Sequence, residues 1–285
     1  MIFRTLNAGE LDAWCSHCQG VFTQTPDGYF KRHYEFDPDA DANLVFIAED
    51  EGQTVSTVRV FRRVIRVGGR QYTMGGIGEV STKPAWRGKG LASELLNRAI
   101  DAMRREKMDC SILFGNRNIY FKAGYQTMYT RYTLAEVSSL PDAASDAVIR
   151  PFEMRDLDAV MGIYDLYAGR MDTALLRSQA YWKMWVLPQW EHVWVLEKEG
   201  RAVAYCQMNQ KGGIGEMGAA PQFEEALPAL LKGAALQMGA ERIRFQSGWL
   251  PEVSGETEEN PLYMILPFNE MEKISCPGFC GVDGF

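Results

Sequence analysis

Apolar residues at Leu91, Leu95, Leu96, Ala99, Ile100 and Met103 recur at the three-to-four spacing of one helical face. The helix they predict starts where Arg87-Gly88-Lys89-Gly90 ends, and an extended run, Gly75–Thr82, leads into that loop. A second amphipathic stretch lies near the start of the chain. Leu11, Trp14, Cys15, Cys18, Val21 and Phe22 share one face of a helix predicted over 8–22, with Asn7 as its cap and Glu10 as capping-box partner. Thr25-Pro26-Asp27-Gly28 is turn chemistry, and a short helix is expected over Tyr29–Phe36, ending near Pro38.

Between the two long helices the period changes to that of strands: Leu44–Ala48, Thr54–Phe61 and Arg62–Val67, then a Gly68-Gly69 hairpin turn into Tyr72–Met74. After the Leu91 helix come a strand at Ser111–Phe114, a short helix at Asn118–Ala123 and a strand at Gln126–Leu134. This order is an α/β layout. Ser138–Ala147, rich in Ser, Ala, Asp and Pro, reads as a linker, dividing the chain into 1–137 and 148–268 with a tail over 269–285.

The second part repeats the first. Asp156-Leu-Asp-Ala159 echoes Glu10-Leu-Asp-Ala13, and Gly212-Gly-Ile-Gly-Glu216 repeats Gly75-Gly-Ile-Gly-Glu79. A repeat of about 140 residues is a domain duplication rather than a solenoid. Aligning Pro221 with Pro84 sets Glu224 against Arg87 and Glu225 against Gly88. Carboxylates there would repel an anion that the first copy attracts. The aromatic cluster Tyr181, Trp182, Trp185, Trp190 and Trp194 is expected to be core and domain interface.

A glycine-rich basic loop at a helix N-terminus offers free backbone N–H groups and the positive end of a helix dipole. It suits a phosphate or pyrophosphate, or else is a tight strand-to-helix turn with solvated charges. Composition changes this picture little. With 285 residues, 46% hydrophobic and 24% charged, the sequence is that of a soluble globular protein, and a net charge of −7 disfavours nucleic acid as a partner and suits a cationic substrate. No stretch has the roughly eighteen apolar residues of a membrane span, and Met1–Leu6 lacks signal-peptide pattern, so no membrane partner and a cytoplasmic location are expected. Six cysteines do not make a disulfide framework. Cys15 and Cys18 with Cys276 and Cys280 have the spacing of a zinc site, but on an apolar helix face they read as small buried hydrophobes; no metal is expected, and His17 is assigned to surface or packing.

Thr82-x-Pro84-x-x-Arg87-x-x-Gly90-x-Ala92 resembles the acetyl-CoA signature of the GNAT N-acetyltransferase superfamily. About thirty residues on, Tyr120-Phe-Lys-Ala-Gly124-Tyr125 resembles its second signature, Tyr-x-x-x-Gly-aromatic. Two GNAT-like copies with the cradle kept only in the first are similar to the tandem-GNAT, Eis-type acetyltransferases, although those relatives usually carry a third, C-terminal domain of about a hundred residues, where this sequence has only Asn269–Phe285 after the second copy. The resemblance implies two tandem GNAT folds, each a mixed, mostly antiparallel sheet flanked by helices, the second degenerate. It also implies acetyl-CoA as co-substrate and a primary amine of a small or medium molecule as acceptor.

By the same resemblance Val80, Ser81 and Thr82 pair with the pantetheine arm, and Gly88, Lys89, Gly90, Leu91, Ala92 and Ser93, with Arg87, wrap the pyrophosphate. Gly115 and Asn116 also touch CoA, and a main-chain N–H near Val80–Ser81 faces the thioester oxygen. Tyr120 is the expected general acid, since a phenol near pKa 10 can protonate a departing thiolate. The base stays open. The family positions for a Glu or His fall on Gly78 and Gly76, which cannot act. Glu79 is one residue off and reaches the site only if a bulge shifts the strand register; it is otherwise a substrate contact or an ordinary charge. The other candidates are the C-terminal carboxylate of Phe285, used by Eis-type relatives, and a water relay. The alternative to an enzyme is a non-catalytic CoA-binding regulatory or interaction module. Exposed edges on two such sheets make homo-oligomers an expectation.

Overall fold

A computed structural model describes residues 1–115, 117–169, 171, 173–274 and 283, apart from the side chain of Tyr167. The first half runs β1 (Ile2–Thr5), α1 (Leu11–Val21), α2 (Tyr29–Glu35), β2 (Val45–Asp50), β3 (Gln53–Val67), β4 (Arg70–Thr82), α3 (Leu91–Arg105), β5 (Cys110–Phe114), α4 (Asn118–Lys122) and β6 (Gln126–Glu136). The second half has β7 (Ala147–Pro151), α5 (Leu157–Ala168), β8 (Thr173–Leu175), α6 (Gln179–Tyr181), a π-helical turn (Trp182–Val186) and α7 (Leu187–Gln189). It ends with β9 (Val193–Lys198), β10 (Arg201–Met208), β11 (Ile214–Ala219), α8 (Leu227–Met238), β12 (Arg242–Gln246) and β13 (Glu256–Pro267).

The predicted elements of the first half are present, with two merged: the segments 54–61 and 62–67 form one strand, as do 72–74 and 75–82. The 8–22 helix opens with a 3-10 turn and the expected capping box, Glu10 accepting from the Asn7 N–H at 3.0 Å. Alternate residues of β2 serve opposite faces. Val45 and Ile47 pack under α1 with Trp14, Cys18 and Phe30, while Phe46 and Ala48 pack under α3. Helix α3 buries Leu91, Leu95, Leu96, Ala99, Ile100 and Met103, the apolar stripe read from the sequence, each large side chain contributing roughly 2 kcal/mol.

Among the described residues the strands form two sheets, ordered β1-β2-β3-β4-β5-β13-β6-β12 (with β8 on β3) and β11-β10-β9-β7. The larger sheet is antiparallel except between β4 and β5, and a single parallel bridge, Gly213 to Arg244, links the smaller sheet to it. Strands β12 and β13 lie beyond the 138–147 segment, yet β13 sits between β5 and β6 and completes the first sheet. The proposed cut at the linker is therefore not a boundary between sheets. Pro261, which donates no ladder hydrogen bond, falls where the β13–β6 register shifts between Asn260 and Tyr263. Tyr181, Trp182 and Trp185 join Phe61, Ile65 and Met74 in one buried cluster spanning both halves, as the interface reading required.

Candidate active site

Parallel pairing of β4 with β5 runs only from Met74–Cys110 to Ile77–Leu113. Beyond it β4 continues to Thr82 while β5 ends at Phe114, so an open wedge separates them. The cause is local. Thr57 pairs with Ser81 and Arg59 with Gly78, so Glu79 and Val80 together face Val58 alone. This is a β-bulge, and Glu79 takes the left-handed conformation at φ +53°. A glutamate held there costs about 1 kcal/mol or more, a strain typical of functional strands. The bulge bends β4 away from β5 and leaves main-chain groups of 78–82 without a partner strand on that side.

The wedge opens toward the basic loop. Arg87 to Gly90 are exposed, and Gly88 (φ +77°) and Gly90 (φ +76°) turn the chain into α3 with nothing within 4 Å of where their Cβ atoms would stand. The first helical hydrogen bond is Glu94 N–H to Gly90 O at 3.0 Å, so the N–H groups of Leu91, Ala92 and Ser93 have no acceptor within the helix. Arg87 is tied back by Nε to Thr82 O at 3.2 Å. Three amides without a helical acceptor at a fifteen-residue helix N-terminus, beside two exposed cations, fit a pyrophosphate. In the second half the corresponding place is a 3-10 turn, Pro221–Ala226, carrying Glu224 and Glu225.

Tyr120 is buried in α4 and packs in the same cluster as Val80, on the α3 face of the sheet. A Cβ on Gly115, at the end of β5, would stand 3.3 Å from its ring. Burial holds its phenol above the usual pKa of 10, so it stays protonated at neutral pH. Tyr125 has a different part. Its hydroxyl lies 2.7 Å from Ser111 Oγ, which donates to Gly75 O at 2.8 Å and so ties β5 to β4 just before they part.

Glu79 points to the opposite face, under α1 and α2. Its side chain is 4% exposed, with Oε1 2.8 Å from His33 Nδ1 and 3.5 Å from Arg59 Nη1. Among the described residues its Oε2 has no hydrogen-bond partner. Arg59 also binds Asp37 Oδ2 at 2.8 Å, and Arg63 binds Asp37 Oδ1 at 3.0 Å. His33 is the functional candidate the sequence reading missed. Stacked on Tyr29 and 4.5 Å from the Trp185 ring, it lines a depression of about 100 Å³ between α2 and the Trp185–Gln189 segment. Its only sequence signal was a histidine in the predicted short helix, with nothing to show that it meets β4.

β4 does carry a bulge at Glu79, but the Glu79 side chain lies on the face opposite Tyr120. Val80, Ser81 and Thr82 lie on the part of β4 that continues beyond its pairing with β5, and Arg87–Ser93 form the loop and first helical turn. Asn116 and Phe285 lie outside the described residues, as do Cys276 and Cys280. His17 is buried, 3.0 Å from Ser81 Oγ, its pKa pushed down to about 4 by burial and by Lys83. Burial pushes the Cys15 thiol up to about 11. Among the described residues no group of three or more His, Cys, Asp or Glu side chains could hold a metal ion, and no helix is long and apolar enough to cross a membrane.

No curated protein matches the chain by sequence. Solved structures share its fold. A GCN5-related N-acetyltransferase from Anabaena variabilis superposes with a TM-score of 0.73 at 13% identity, covering 94% of this chain and 73% of its own. Eis1 from Mycobacterium abscessus gives 0.64 at 12% identity (94% and 74%), and Saccharomyces cerevisiae N-myristoyltransferase with bound myristoyl-CoA gives 0.58 at 11% (93% and 82%). At such identities these likenesses establish the fold alone. Residues 3–128, the part that holds the bulge, the loop and Tyr120, match the family model of the acetyltransferase (GNAT) domain.

Proposed function

We propose that the protein transfers an acetyl group from acetyl-CoA to a primary amine. The observation that carries this reading is the wedge between β4 and β5, with the anion cradle at one end and buried Tyr120 on its wall. Acetyl-CoA supplies the acetyl group already activated as a thioester. The free amides of 91–93, with Arg87 and Lys89, bind its pyrophosphate, and Val80, Ser81, Thr82 and Gly115 line the path of its arm. In this reading main-chain N–H groups at the bulge stabilise a developing oxyanion, and the Tyr120 hydroxyl gives its proton to the leaving sulfur. A myristoyl-CoA-bound neighbour with the same fold supports a CoA thioester as the donor.

On the acceptor side the vacant Oε2 of Glu79 takes a hydrogen bond from the incoming amine, with His33 holding Oε1. Glu79 is thus the base favoured over Phe285, although a chain truncated before 284 tests the terminus directly. The second half, with its cradle replaced by Glu224 and Glu225, is read as a degenerate GNAT copy that walls the acceptor side.

Release of free thiol from acetyl-CoA, followed across a panel of primary amines, is the test. Amine-dependent release supports transfer. Acetyl-CoA binding with no release for any amine at high enzyme concentration would make the protein a CoA-binding module instead.

A further inference from the structure

Arg63 is 3% exposed on β3, at the seam between the two halves. Its Nη1 is occupied by Asp37 Oδ1 and by the Arg62 carbonyl, while its Nε and Nη2 have no hydrogen-bond partner among the described residues. Those two groups form the side of a guanidinium whose parallel N–H bonds match the two oxygens of a carboxylate. At three other arginines the same edge is filled. Arg4 turns Nε and Nη2 to Glu49, Arg150 to Glu197 and buried Arg177 to Asp283, the last at 3.0 and 2.9 Å. Leaving such an edge vacant in the interior is costly, because buried N–H groups have given up water. Next to it Tyr181, 2% exposed, has a hydroxyl that is also unpartnered among the described residues. The guanidinium carbon stands 5.0 Å from the Tyr181 ring centroid and 5.3 Å from that of Trp185. Trp185 lies on the π-helical turn, a distortion that recurs at functional sites, and it forms one wall of the depression that leads to His33.

We propose that this edge is an anion seat, and that the acceptor is an amine that also carries a carboxylate, which docks on Arg63 Nε and Nη2 with the Tyr181 hydroxyl as third donor. The proposal rests on the acetyltransfer reading and narrows its acceptor class. Arg63 and Arg59 grip the two oxygens of the same Asp37, and Glu79 lies on the far side of Arg59. The seat and the vacant Glu79 oxygen are therefore neighbours but not adjacent. The carboxylate and the reacting amine stand several bonds apart, as in an ω-amino acid, and an α-amino group would be out of reach of Glu79.

The test compares matched pairs that differ only in the carboxylate, 6-aminohexanoate against pentylamine and lysine against cadaverine, by kcat/KM for thiol release. Binding of plain hexanoate, which has no amine, is measured in parallel by calorimetry. The wild-type chain is expected to favour the carboxylate-bearing member by on the order of 10- to 100-fold, the range of a charge-assisted pair. Arg63→Gln abolishes the preference and the hexanoate heat. Tyr181→Phe, which leaves the Arg63–Asp37 pair intact and so guards against simple misfolding, weakens both several-fold. Equal rates for the two members of each pair, or no hexanoate heat at millimolar concentration, overturn the seat. Hexanoate heat that vanishes in Arg63→Gln and weakens in Tyr181→Phe, with no amine acetylated, upholds the seat and overturns acetyl transfer.

Discussion

Glu79 and Glu216 close the same five-residue run, Gly-Gly-Ile-Gly-Glu, and both side chains are buried, yet their surroundings differ. Glu216 is saturated. Arg177 donates to both its oxygens at 2.9 and 2.7 Å, and the Tyr205 hydroxyl adds a bond at 2.6 Å. Glu79 has one oxygen held by His33 and Arg59 and, among the described residues, one without a partner. The bulge has also moved. In the second half the register shifts beside Ile214, and Glu216 stays in register with Gln207; in the first, Glu79 is itself the bulged residue. The same sequence thus serves as a structural ion pair in one place and as a half-satisfied, strained carboxylate beside an open wedge in the other. The shared motif specifies a glutamate at the strand, while the partners reaching it from other elements decide whether it is spent on stability or left free for chemistry.

Four substitutions test this contrast, the largest effect first. Tyr120→Phe is expected to lower turnover roughly 100- to 1,000-fold with acetyl-CoA affinity nearly unchanged, checked by single-turnover rates and a binding titration. Because the buried phenol titrates above its ordinary pKa of 10, the acid form persists through neutral pH, and turnover should fall only as pH rises past that raised value. An activity loss between pH 8 and 9 would count against Tyr120 as the acid.

The two glutamates should separate by what they damage. Glu216→Gln breaks a buried pair and should cost about 3 kcal/mol in denaturant unfolding while sparing the turnover of folded protein. Glu79→Gln should lower kcat roughly 100-fold and cost only about 1 kcal/mol, since Arg59 keeps Asp37. The reverse pattern would exchange the structural and catalytic roles of the two. Writing the second half's charge into the first, Arg87→Glu, should weaken acetyl-CoA binding by about 10-fold, since repulsion replaces attraction at an exposed loop. A control outside the contrast, Tyr125→Phe, should have the smallest effect, about 1 kcal/mol of stability through the lost bond to Ser111.

What the sequence made legible was local. The stripe on α3, the capping box at Asn7 and the glycines at 88 and 90 each follow from residues within one or two turns of one another, and each stands as read. The rest depends on pairings distant in sequence. His33 meets Glu79 across 46 residues, and nothing in the Tyr29–Glu35 pattern marks it. Strand β13 begins Glu-Thr-Glu-Glu-Asn-Pro, which neither alternates nor looks apolar, because its outer part pairs with the exposed Arg131 stretch of β6 and only Met264 and Leu266 enter the core. Register in such a segment is set by its neighbours rather than by its own pattern.

The position of β13 also bears on how the molecule is made. It is the strand that β5 and β6 both pair with, and it is synthesised well after both. Until it arrives, a nascent chain holding the cradle, the bulge and Tyr120 has a gap in its sheet, with two strand edges bare. A fragment stopped in the 138–147 segment would carry the motifs of the site but keep those edges open to other chains. Expression of residues 1–137 alone should therefore give aggregate, and adding the second half in trans should recover soluble protein only when it includes 256–267.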